Sequence, residues 1–558
     1  MLIISINSIL RRKKNTLRKE EKWIYIGKSF KKLNHIETIL NKNRRFYFTE
    51  LFQSILLKSK YEFIDYVNDL TSADRDISWW SNKVSYLSPL VSDFYENYCH
   101  IKLIKTLSEQ ESLNLIVVIE DDFLFSQLCD ESFEGTKIFN DSLNLQKIKR
   151  FKYYLYNHIK LFYSFLRSII YFVVISYYRI RKSNKYKKSS IIKLSWIEDR
   201  CFRENKFNDV YFKGIEKIES EIGKSVTTIT LPFIPLRLVK KSLKDEEIFP
   251  LAIFLSLGII FKALFKALFF NPKLKKNKNH LFNREIANKK AMFESLIFFF
   301  IMKKFINKFK EVKTIILPFE NQPNDKLLII ANKQSDKEVN VVGYQHASVN
   351  YMYLNYCVSE KFKEETPLPD IIVATSKYSE SFFNSNNYTS KIINGGSLKY
   401  NNYNRNLSPI NGDTVLILLS YDLNQSLNFL NFIINSNLKD KQCIIKPHPN
   451  FPEHLFRKNI DIPDNFKFID CSMDEFFSLG KIVIHNGTTA AVECISAGLQ
   501  VYKYIGERID LDPLLNTTVN QGVLWQGSEV LIDTTIEHGN LDEILNDINL
   551  SNWESILS

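Results

Sequence analysis

Short runs of β-branched and aliphatic residues alternate with longer segments of helical periodicity along most of the chain. A strand that is covered on both faces reads as an unbroken apolar run, as strands of parallel sheets do. Such runs separated by helical segments are typical of βαβ units, so the pattern predicts an α/β fold with parallel sheets. The predicted strands are 23–27, 115–120, 191–196, 227–233, 314–319, 340–346, 370–376, 391–396, 415–420, 442–449, 466–470, 481–487 and 501–505.

A polar stretch at 400–413, YNNYNRNLSPINGD, interrupts this alternation and gives the clearest domain boundary. We expect two Rossmann-like domains, the first large and elaborated and the second compact. The predicted division is an N-terminal α/β region at 1–145, an inserted helical segment at 146–190, the remainder of the first domain at 191–405 and the second domain at 406–558.

The composition excludes several classes of protein. With 558 residues, 45% hydrophobic and 25% charged, the chain is neither disordered, nor collagen-like, nor a polytopic membrane protein. Its seven cysteines are an odd number without a CxxC pair, which predicts neither a disulfide framework nor a zinc site. The sequence also has no His/Cys cluster with ligand spacing, so we expect no metal. The N-terminal apolar residues precede the charges, the reverse of a secretory signal, and this order predicts a cytoplasmic protein.

The net charge of +13 comes from one segment. No acidic residue lies between Asp141 and Glu198, whereas this stretch contains 13 Lys and Arg, and the rest of the chain has 62 basic against 62 acidic residues. The middle of the segment, 161–178, is the apolar and aromatic run LFYSFLRSIIYFVVISYY. An apolar helix flanked by cations is typical of contact with anionic lipid. Its apolar middle disfavours nucleic-acid binding, which the basic residues alone would allow.

The same run is 18 residues long and carries Arg167, which favours a helix lying in the membrane interface over one that spans the bilayer. A second candidate helix covers 248–270, where Lys262 and Lys266 share one face, and a basic tail follows it at 273–278. The alternative is that both are buried helices of the α/β domain. We expect a peripheral protein at the inner face of the cytoplasmic membrane.

Ligands of open parallel sheets bind beyond the carboxyl ends of the strands, so the residues that follow each strand are the first candidates for chemistry. Lys446-Pro447-His448-Pro449 ends one predicted strand. The two prolines restrict the backbone and hold the imidazole at the sheet edge, where it can donate a proton to a phosphate. The alternatives are a structural turn with a solvent-exposed His448, and for Lys446 a solvated strand end in place of a phosphate counter-charge.

A second motif reads as a strand, a glycine turn and a helix that opens with two threonines, from His485 through Gly487, Thr488 and Thr489 to Glu493. Free N–H groups and hydroxyls at a helix N-terminus form an anion site, and Glu493 is placed to accept hydrogen bonds from a ribose. The alternative is that the threonines only cap the helix. Together with His448, the motif predicts the binding of a nucleoside mono- or diphosphate.

The combination of KPHP, the Gly-Thr-Thr…Glu helix and the following AG-x-x-VY resembles the C-terminal domain of GT-B glycosyltransferases. It is most similar to enzymes that use CMP-activated sugars, such as Kdo transferases and bacterial sialyltransferases, and to the CDP-glycerol glycerophosphotransferases. The resemblance implies that His448 contacts the nucleotide phosphate, that Thr488 and Thr489 help to hold it, and, more loosely, that Glu493 matches the acidic helix position. It also implies a nucleotide-sugar co-substrate, no further cofactor, and a donor-binding role for 406–558.

Four segments of the first domain also resemble a bacterial surface-carbohydrate biosynthesis family. These are LPFENQPNDKLLIIANK at 317–333, VVGYQHASVN at 341–350, LPDIIVATS at 368–376 and INGGSLKY at 393–400. Asp325 stands where that pattern has a glutamate. The whole resemblance covers about residues 190–505 and makes 191–405 the acceptor side.

Glu320 and His346 each follow a predicted strand, and either is a candidate base for an acceptor hydroxyl. His346 matches the N-domain histidine of the glycerophosphotransferases, and Glu320 is the kind of carboxylate that sialyltransferases use. The alternatives are a carboxylate that anchors the next helix and a packed loop histidine. Weaker candidates on the acceptor side are Gln322, Gln345, Asp199 and Arg200.

The sequence therefore predicts a metal-independent glycosyltransferase that moves a sugar, most simply from a CMP-linked donor, to a surface polysaccharide or a lipid-linked acceptor. One alternative is a CDP-glycerol-type transferase of polyol phosphate. The other is a non-catalytic scaffold built on a transferase fold.

Overall fold

The structure is a computed structural model. It describes residues 1–11, 21–70, 75–110, 114–131, 133, 135–139, 143–182, 189–203, 206–232, 235–245, 248–272, 279–398, 414–532, 536–539 and 541–557. The predicted domain boundary at 400–413 and the basic tail at 273–278 lie outside these residues.

The N-terminal sheet is parallel, with strand order β2-β3-β1-β4. Its strands are β1 (Leu2–Ser5), β2 (Lys22–Ile26), β3 (Leu115–Ile119) and β4 (Lys137–Phe139). Every residue of β3, LIVVI, is buried because helices cover both faces of the sheet.

The central sheet is the largest and is also parallel, with order β13-β12-β11-β10-β5-β8-β9. Its strands are β5 (Ile191–Ser195), β8 (Val226–Thr230), β9 (Ile248–Pro250), β10 (Thr314–Pro318), β11 (Asn340–Tyr344), β12 (Ile371–Ala374) and β13 (Lys391–Asn394). A small antiparallel hairpin, β6 (Phe202–Arg203) and β7 (Lys206–Phe207), follows β5.

The C-terminal sheet is parallel with order β16-β15-β14-β17-β18-β19. Its strands are β14 (Val415–Leu418), β15 (Cys443–Lys446), β16 (Phe466–Phe468), β17 (Ile482–His485), β18 (Gln500–Ile505) and β19 (Gly522–Trp525). The chain adds β15 and β16 on one side of β14 and then returns to add β17 on the other, so the topological switch point lies between β14 and β17.

Helices connect and cover these sheets. They are α1 (Ile6–Arg11), α2 (Phe30–Leu40), α3 (Thr49–Asp69), α4 (Ile77–Trp80), α5 (Phe94–Ser108), α6 (Asp122–Asp130), α7 (Leu143–Lys182), α8 (Ile215–Ile222), α9 (Leu236–Lys244), α10 (Leu257–Phe269), α11 (His280–Ile286), α12 (Lys289–Lys308), α13 (Pro323–Lys333), α14 (Lys377–Ser385), α15 (Leu423–Ile434), α16 (Glu453–Arg457), α17 (Met473–Phe477), α18 (Ala490–Ser496) and α19 (Leu550–Leu557).

One hydrophobic core joins the N-terminal region to the central sheet. Val117 of β3, Phe52 of α3, Phe298 of α12 and Ile315 of β10 all belong to it. The opposite face of the central sheet is covered by α8 and by α19, whose Trp553 is fully buried and donates from its indole N–H to the Gly395 carbonyl at 3.0 Å. The last helix therefore packs on the central sheet, although the predicted division placed it in the second domain.

The predicted α/β fold with Rossmann-like parallel sheets and an inserted helical segment is confirmed. The structure adds a third parallel sheet, which lies within the predicted N-terminal α/β region. The prediction of one helix over 248–270 is wrong, because Ile248–Pro250 is a strand of the central sheet and the helix begins only at Leu257. The reason is that Pro250 and the cap residue Ser256 divide an apolar run whose periodicity alone suggests a single helix.

The inserted segment forms α7, a helix of 40 residues. Among the described residues, it is the one helix that is long and apolar enough to cross a membrane by length and composition. The stretch concerned is Gln146–Tyr177, in which the most apolar 18 residues have a mean hydropathy of 1.6 and are 28% buried.

Candidate functional site

A cavity of about 460 Å³ lies at the switch point of the C-terminal sheet. Ser420 and Asp422 follow β14, Gly487 follows β17 and Arg508 follows β18, and all four line it. The opposite wall comes from the N-terminal region: Lys28 and Ser29 from the loop after β2, Arg45 from the segment between α2 and α3, Asp93 directly before α5, and His100 on α5. Two parallel sheets thus direct their carboxyl ends at one crevice, the place where such sheets bind ligands.

A buried polar network fixes the floor of this cavity. The Ser420 N–H donates to Asn486 Oδ1 at 2.8 Å, and Asn486 Nδ2 donates to Ser420 Oγ at 2.9 Å and Ser426 Oγ at 3.3 Å. Next to it, the buried His485 donates from Nε2 to Gln521 Oε1 at 2.9 Å and accepts the Gly487 N–H on Nδ1 at 3.1 Å. Burial lowers the pKa of His485, which keeps this imidazole neutral. The network rigidly joins the ends of β14 and β17.

The mouth of the cavity exposes apolar surface. Tyr421 is 60% exposed, and Leu90 and Val91 from the facing loop are also exposed. Exposed large side chains grouped around a cavity are typical of a ligand contact, and an aromatic ring offers a stacking surface to a nucleobase.

Charged pairs cross the crevice. Arg508 Nε donates to the carboxylate of Glu96 on α5, and Arg508 Nη1 lies 3.9 Å from Asp422 Oδ2. Burial opposes the ionisation of Glu96, but Arg508 and Lys28 outweigh it and lower the pKa of Glu96 to about 2. Arg45 bridges in the same way to Glu507 at 2.6 Å. The wall therefore combines cations that suit a phosphate with carboxylates that suit ribose hydroxyls.

A second cavity of about 500 Å³ adjoins the first and shares Lys28, Asp93, His100 and Arg508 with it. It lies at the carboxyl edge of the N-terminal sheet and is lined further by charged residues of α6, α7 and α11. His100 stacks on Phe52 with ring centroids 4.5 Å apart, and its Nδ1 has no hydrogen-bond partner. Burial lowers the pKa of His100 to about 4, so its ring is neutral.

His448 lies at the edge of the first cavity rather than in its lining. Its Nδ1 accepts the Asn450 N–H at 3.2 Å, so the neutral ring carries its proton on Nε2. Its ring packs edge-on against Tyr421, with centroids 5.5 Å apart, and burial lowers its pKa. The imidazole is thus half-buried and oriented beside a residue that does line the cavity.

The other residues predicted on the donor side are placed less uniformly. Gly487 lines the cavity and has φ of +87°, a left-handed conformation that suits glycine. Thr488 and Thr489 directly precede α18 without lining the cavity, and the Thr489 side chain makes no capping hydrogen bond. Glu493 lies in the first turn of α18, also outside the lining. Lys446 is directed away from the cavity, because its ammonium donates to the Cys471 carbonyl after β16.

The structure brings the two candidate bases together. His346 Nε2 lies 3.3 Å from Glu320 Oε1, at the carboxyl edge of the central sheet. Burial raises the pKa of Glu320 to about 7. Trp196 and Tyr211 pack edge-on against His346, with ring centroids 5.0 and 5.5 Å away. Neither base lines the two cavities, but Tyr353, whose pKa is raised by burial and by Glu320, lines the first one.

Glu320 does not anchor the following helix, since that role belongs to Asp325. The Asp325 carboxylate accepts the N–H groups of Glu320 at 3.0 Å and Gln322 at 3.2 Å, at the start of α13. Gln345, a weaker acceptor-side candidate, is buried: its amide N–H donates to the Ala347 carbonyl at 2.9 Å and its amide oxygen accepts the Thr375 N–H at 3.1 Å, so its side chain has a structural role.

Asp199 and Arg200 follow β5 in a short turn and are both exposed. Asp199 pairs with Arg237, and Arg200 pairs with Glu198 at 2.8 Å. Arg200 also donates to the Tyr211 hydroxyl at 3.2 Å, and Tyr211 packs against His346, so Arg200 is linked to His346 through Tyr211.

Sequence reasoning missed the wall that the N-terminal region contributes, above all Lys28, Glu96 and His100. The signal for Lys28 was present, because Gly27-Lys28-Ser29 follows a correctly predicted strand and precedes α2. Glu96 and His100 lie on α5, where no strand end marks them. Within the described residues, no group of three or more His, Cys, Asp or Glu side chains is placed to hold a metal ion.

No protein-family model matches this chain, and no curated protein matches it either. Solved structures similar to it include the calicheamicin glycosyltransferase CalG4, at 12% identity and TM-score 0.34 over 61% of this chain and 86% of that one. MurG of Acinetobacter baumannii is similar at 11% identity and TM-score 0.32, over 60% and 86% of the two chains. The UDP-GlcNAc 2-epimerase of Neisseria meningitidis is similar at 11% identity and TM-score 0.31, over 56% and 81%.

Proposed function

We propose that this protein is a glycosyltransferase whose nucleotide-sugar donor binds in the cavity between β14 and β17. The observation that carries the proposal is the position of that cavity, at the switch point of a parallel sheet and closed by a second region of the chain. A nucleoside phosphate suits its wall, because the base can stack on Tyr421, the ribose can donate to Asp422, and the phosphate can lie near Arg508.

The finer proposal is a CMP-linked donor and a surface-polysaccharide or lipid-linked acceptor. It is supported by the KPHP and Gly-Thr-Thr motifs, whose resemblance is to CMP-sugar transferases. His448 would donate from Nε2 to the departing phosphate, and this stabilises charge that develops in the transition state. The Glu320–His346 pair is the proposed base for the acceptor hydroxyl, since a carboxyl with a pKa of about 7 can take a proton near neutral pH.

The test is calorimetric binding of CMP, CDP, UMP, UDP and GDP to the full chain. We expect CMP to bind most tightly, and His448→Ala to weaken it about tenfold or more, the effect of one hydrogen bond to a charged group. Gly487→Ala should also weaken binding, because it strains the turn beside the cavity. Gly498→Ala is the matched control, since Gly498 has a similar φ of +82° but does not line the cavity.

The alternatives give different results. A preference for CDP over CMP would favour the transfer of polyol phosphate. Absence of binding by all five nucleotides would overturn the transferase proposal and favour a scaffold on this fold. If Gly487→Ala and Gly498→Ala weakened nucleotide binding equally, the nucleotide would not bind in this cavity.

A further inference from the structure

We propose that α7 and α10 together form a surface by which this protein lies on an anionic lipid bilayer, with both helices parallel to the membrane plane. This proposal does not depend on the donor or the reaction.

The inward face of α7 packs against the protein. Leu161, Ser164, Ser168, Tyr171 and Ile175 are buried, at alternating steps of three and four residues. Ser164 Oγ donates to Glu294 Oε1 of α12 at 2.6 Å, and Arg167 donates to the same oxygen at 2.8 Å. This face is therefore held along the length of the helix.

The outward face of α7 is apolar as well, which a water-exposed helix does not require. Its exposed large side chains include Phe151, Leu155, Ile159, Phe162, Ile170 and Tyr177. Phe162 is 61% exposed and Tyr177 is 67% exposed, so these side chains project from the body of the protein. Soluble monomers rarely expose an apolar stripe of this length without a partner.

Helix α10 extends the same surface. Phe261, Phe265 and Phe269 recur every four residues and are exposed, Phe269 to 75%. The rings of Phe165 on α7 and Phe261 on α10 lie 5.5 Å apart, so the two apolar faces are continuous. We call this the α7–α10 surface.

The charge around the surface selects lipid as the partner. No acidic residue occurs in 142–197, and Lys147, Lys152 and Lys262 are exposed on the two helices. Aromatic and aliphatic side chains flanked by exposed ammonium groups suit the boundary between anionic headgroups and acyl chains.

The packing decides that α7 lies on the bilayer rather than crossing it. A helix that spans alone presents its whole circumference to lipid, but one face of α7 is occupied by α12. Crossing would also carry the Arg167–Glu294 ion pair into hydrocarbon, which is costly. Lys149, Arg150 and Tyr153 of the same helix line the second cavity, so docking would bring that cavity close to the headgroups.

The experiment is co-sedimentation of the full chain with phosphatidylcholine vesicles that contain 0 or about 30% phosphatidylglycerol, at low and high salt. We expect binding to the anionic vesicles, weakened by salt. Phe162→Glu and Phe265→Glu should each lower the partition coefficient about tenfold or more, because each puts a charge in place of an exposed aromatic side chain that the bilayer would bury. Leu531→Glu is the matched control, since Leu531 is 74% exposed and lies beyond the C-terminal sheet.

Unfolding temperatures establish that the variants are folded, which is expected because both side chains project outward. Binding unaffected by Phe162→Glu and Phe265→Glu would overturn the proposal. The proposal would also be overturned if the wild type did not bind vesicles but self-associated, and if these substitutions abolished that self-association. The surface would then be an interface between copies of the chain. Bound protein that resists extraction by salt and carbonate would also overturn it, in favour of a spanning helix.

Discussion

The environment of Glu320 shows how burial changes the chemistry of a side chain. The carboxyl lies 3.3 Å from His346 and within hydrogen-bond distance of the Tyr86 hydroxyl, at 3.5 Å. Burial raises its pKa to about 7, because removal from water penalises the charged form. A carboxyl of this kind is half-ionised near neutral pH and can accept or hold a proton.

We predict that Glu320→Gln lowers the transfer rate by about 100-fold or more, the usual contribution of a general base. In the wild type, kcat/KM should rise as the pH increases through about 7, since only the ionised carboxylate accepts the proton. The variant should lose this dependence. The measurement is the pH profile of kcat/KM with the donor identified by binding.

Asp199→Asn is the matched control, because Asp199 follows a neighbouring strand of the central sheet but is exposed and paired with Arg237. It should leave the profile unchanged. If kcat/KM of Glu320→Gln still rose with pH through about 7, the Glu320 carboxyl would not be the base.

At the scale of elements, α7 carries two apolar faces of which only one packs. We predict that Leu161→Ala lowers the free energy of unfolding by about 2–5 kcal/mol, because Leu161 is 2% exposed and its removal leaves a cavity. Leu155→Ala, on the outward face and 49% exposed, should change it by less than about 0.5 kcal/mol.

Urea unfolding of the two variants without lipid is the measurement. The pair is matched in residue type and helix, so propensity cancels and only packing differs. If both substitutions lowered the free energy of unfolding by similar large amounts, the outward face would also be covered. If neither changed it, α7 would not pack on α12.

At the scale of the whole molecule, Glu96 and Arg508 tie the N-terminal region to the C-terminal sheet. We predict that Glu96→Gln lowers the free energy of unfolding by about 3 kcal/mol at pH 7, since it leaves Arg508 buried beside a neutral partner. Because the pKa of Glu96 is lowered to about 2, the wild type has this contribution above the ordinary pKa of 4.5 and loses it as the pH falls towards 2. The difference between variant and wild type should therefore shrink in acid.

Chemical unfolding at pH 7 and pH 3 checks this prediction. Glu62→Gln is the control, since Glu62 pairs with Lys102 at the surface and should cost no more than about 1 kcal/mol. An effect of Glu96→Gln as small as that of Glu62→Gln would show that the pair does not hold the two regions together.

The sequence by itself determined the α/β class and the position of most strands. LIVVI at β3 and VLIL at β14 are apolar throughout, because a parallel strand is buried on both faces and leaves no polar position. It also determined the inserted helix and the excess of basic residues in it. These are local properties, since period and charge can be read without knowing what packs against them.

Other features depended on contacts between distant residues. The apolar start of the chain contains Leu2–Ser5, which forms an inner strand of a sheet, since β3 and β4 pair on either side of β1. The run at 248–270 divides into a strand and a helix because β8 offers an edge to Ile248–Pro250. The strand-end rule pointed to the end of β17, but the cavity there exists only because α5 and the loop after β2 close it.

Only part of the candidate site could therefore be predicted from the sequence. Gly487 and His448 carry signals in their neighbours along the chain. Glu96, in contrast, meets its partner Arg508 across 412 positions of sequence, and His100 lines the same cavity as Arg508 only in the folded chain. Likewise, the sequence showed that α7 is apolar, but only the tertiary structure decided which face is buried and which is exposed. The periodicity of the sequence determines which side chains share a face of a helix or strand, and tertiary packing determines which residues that face contacts.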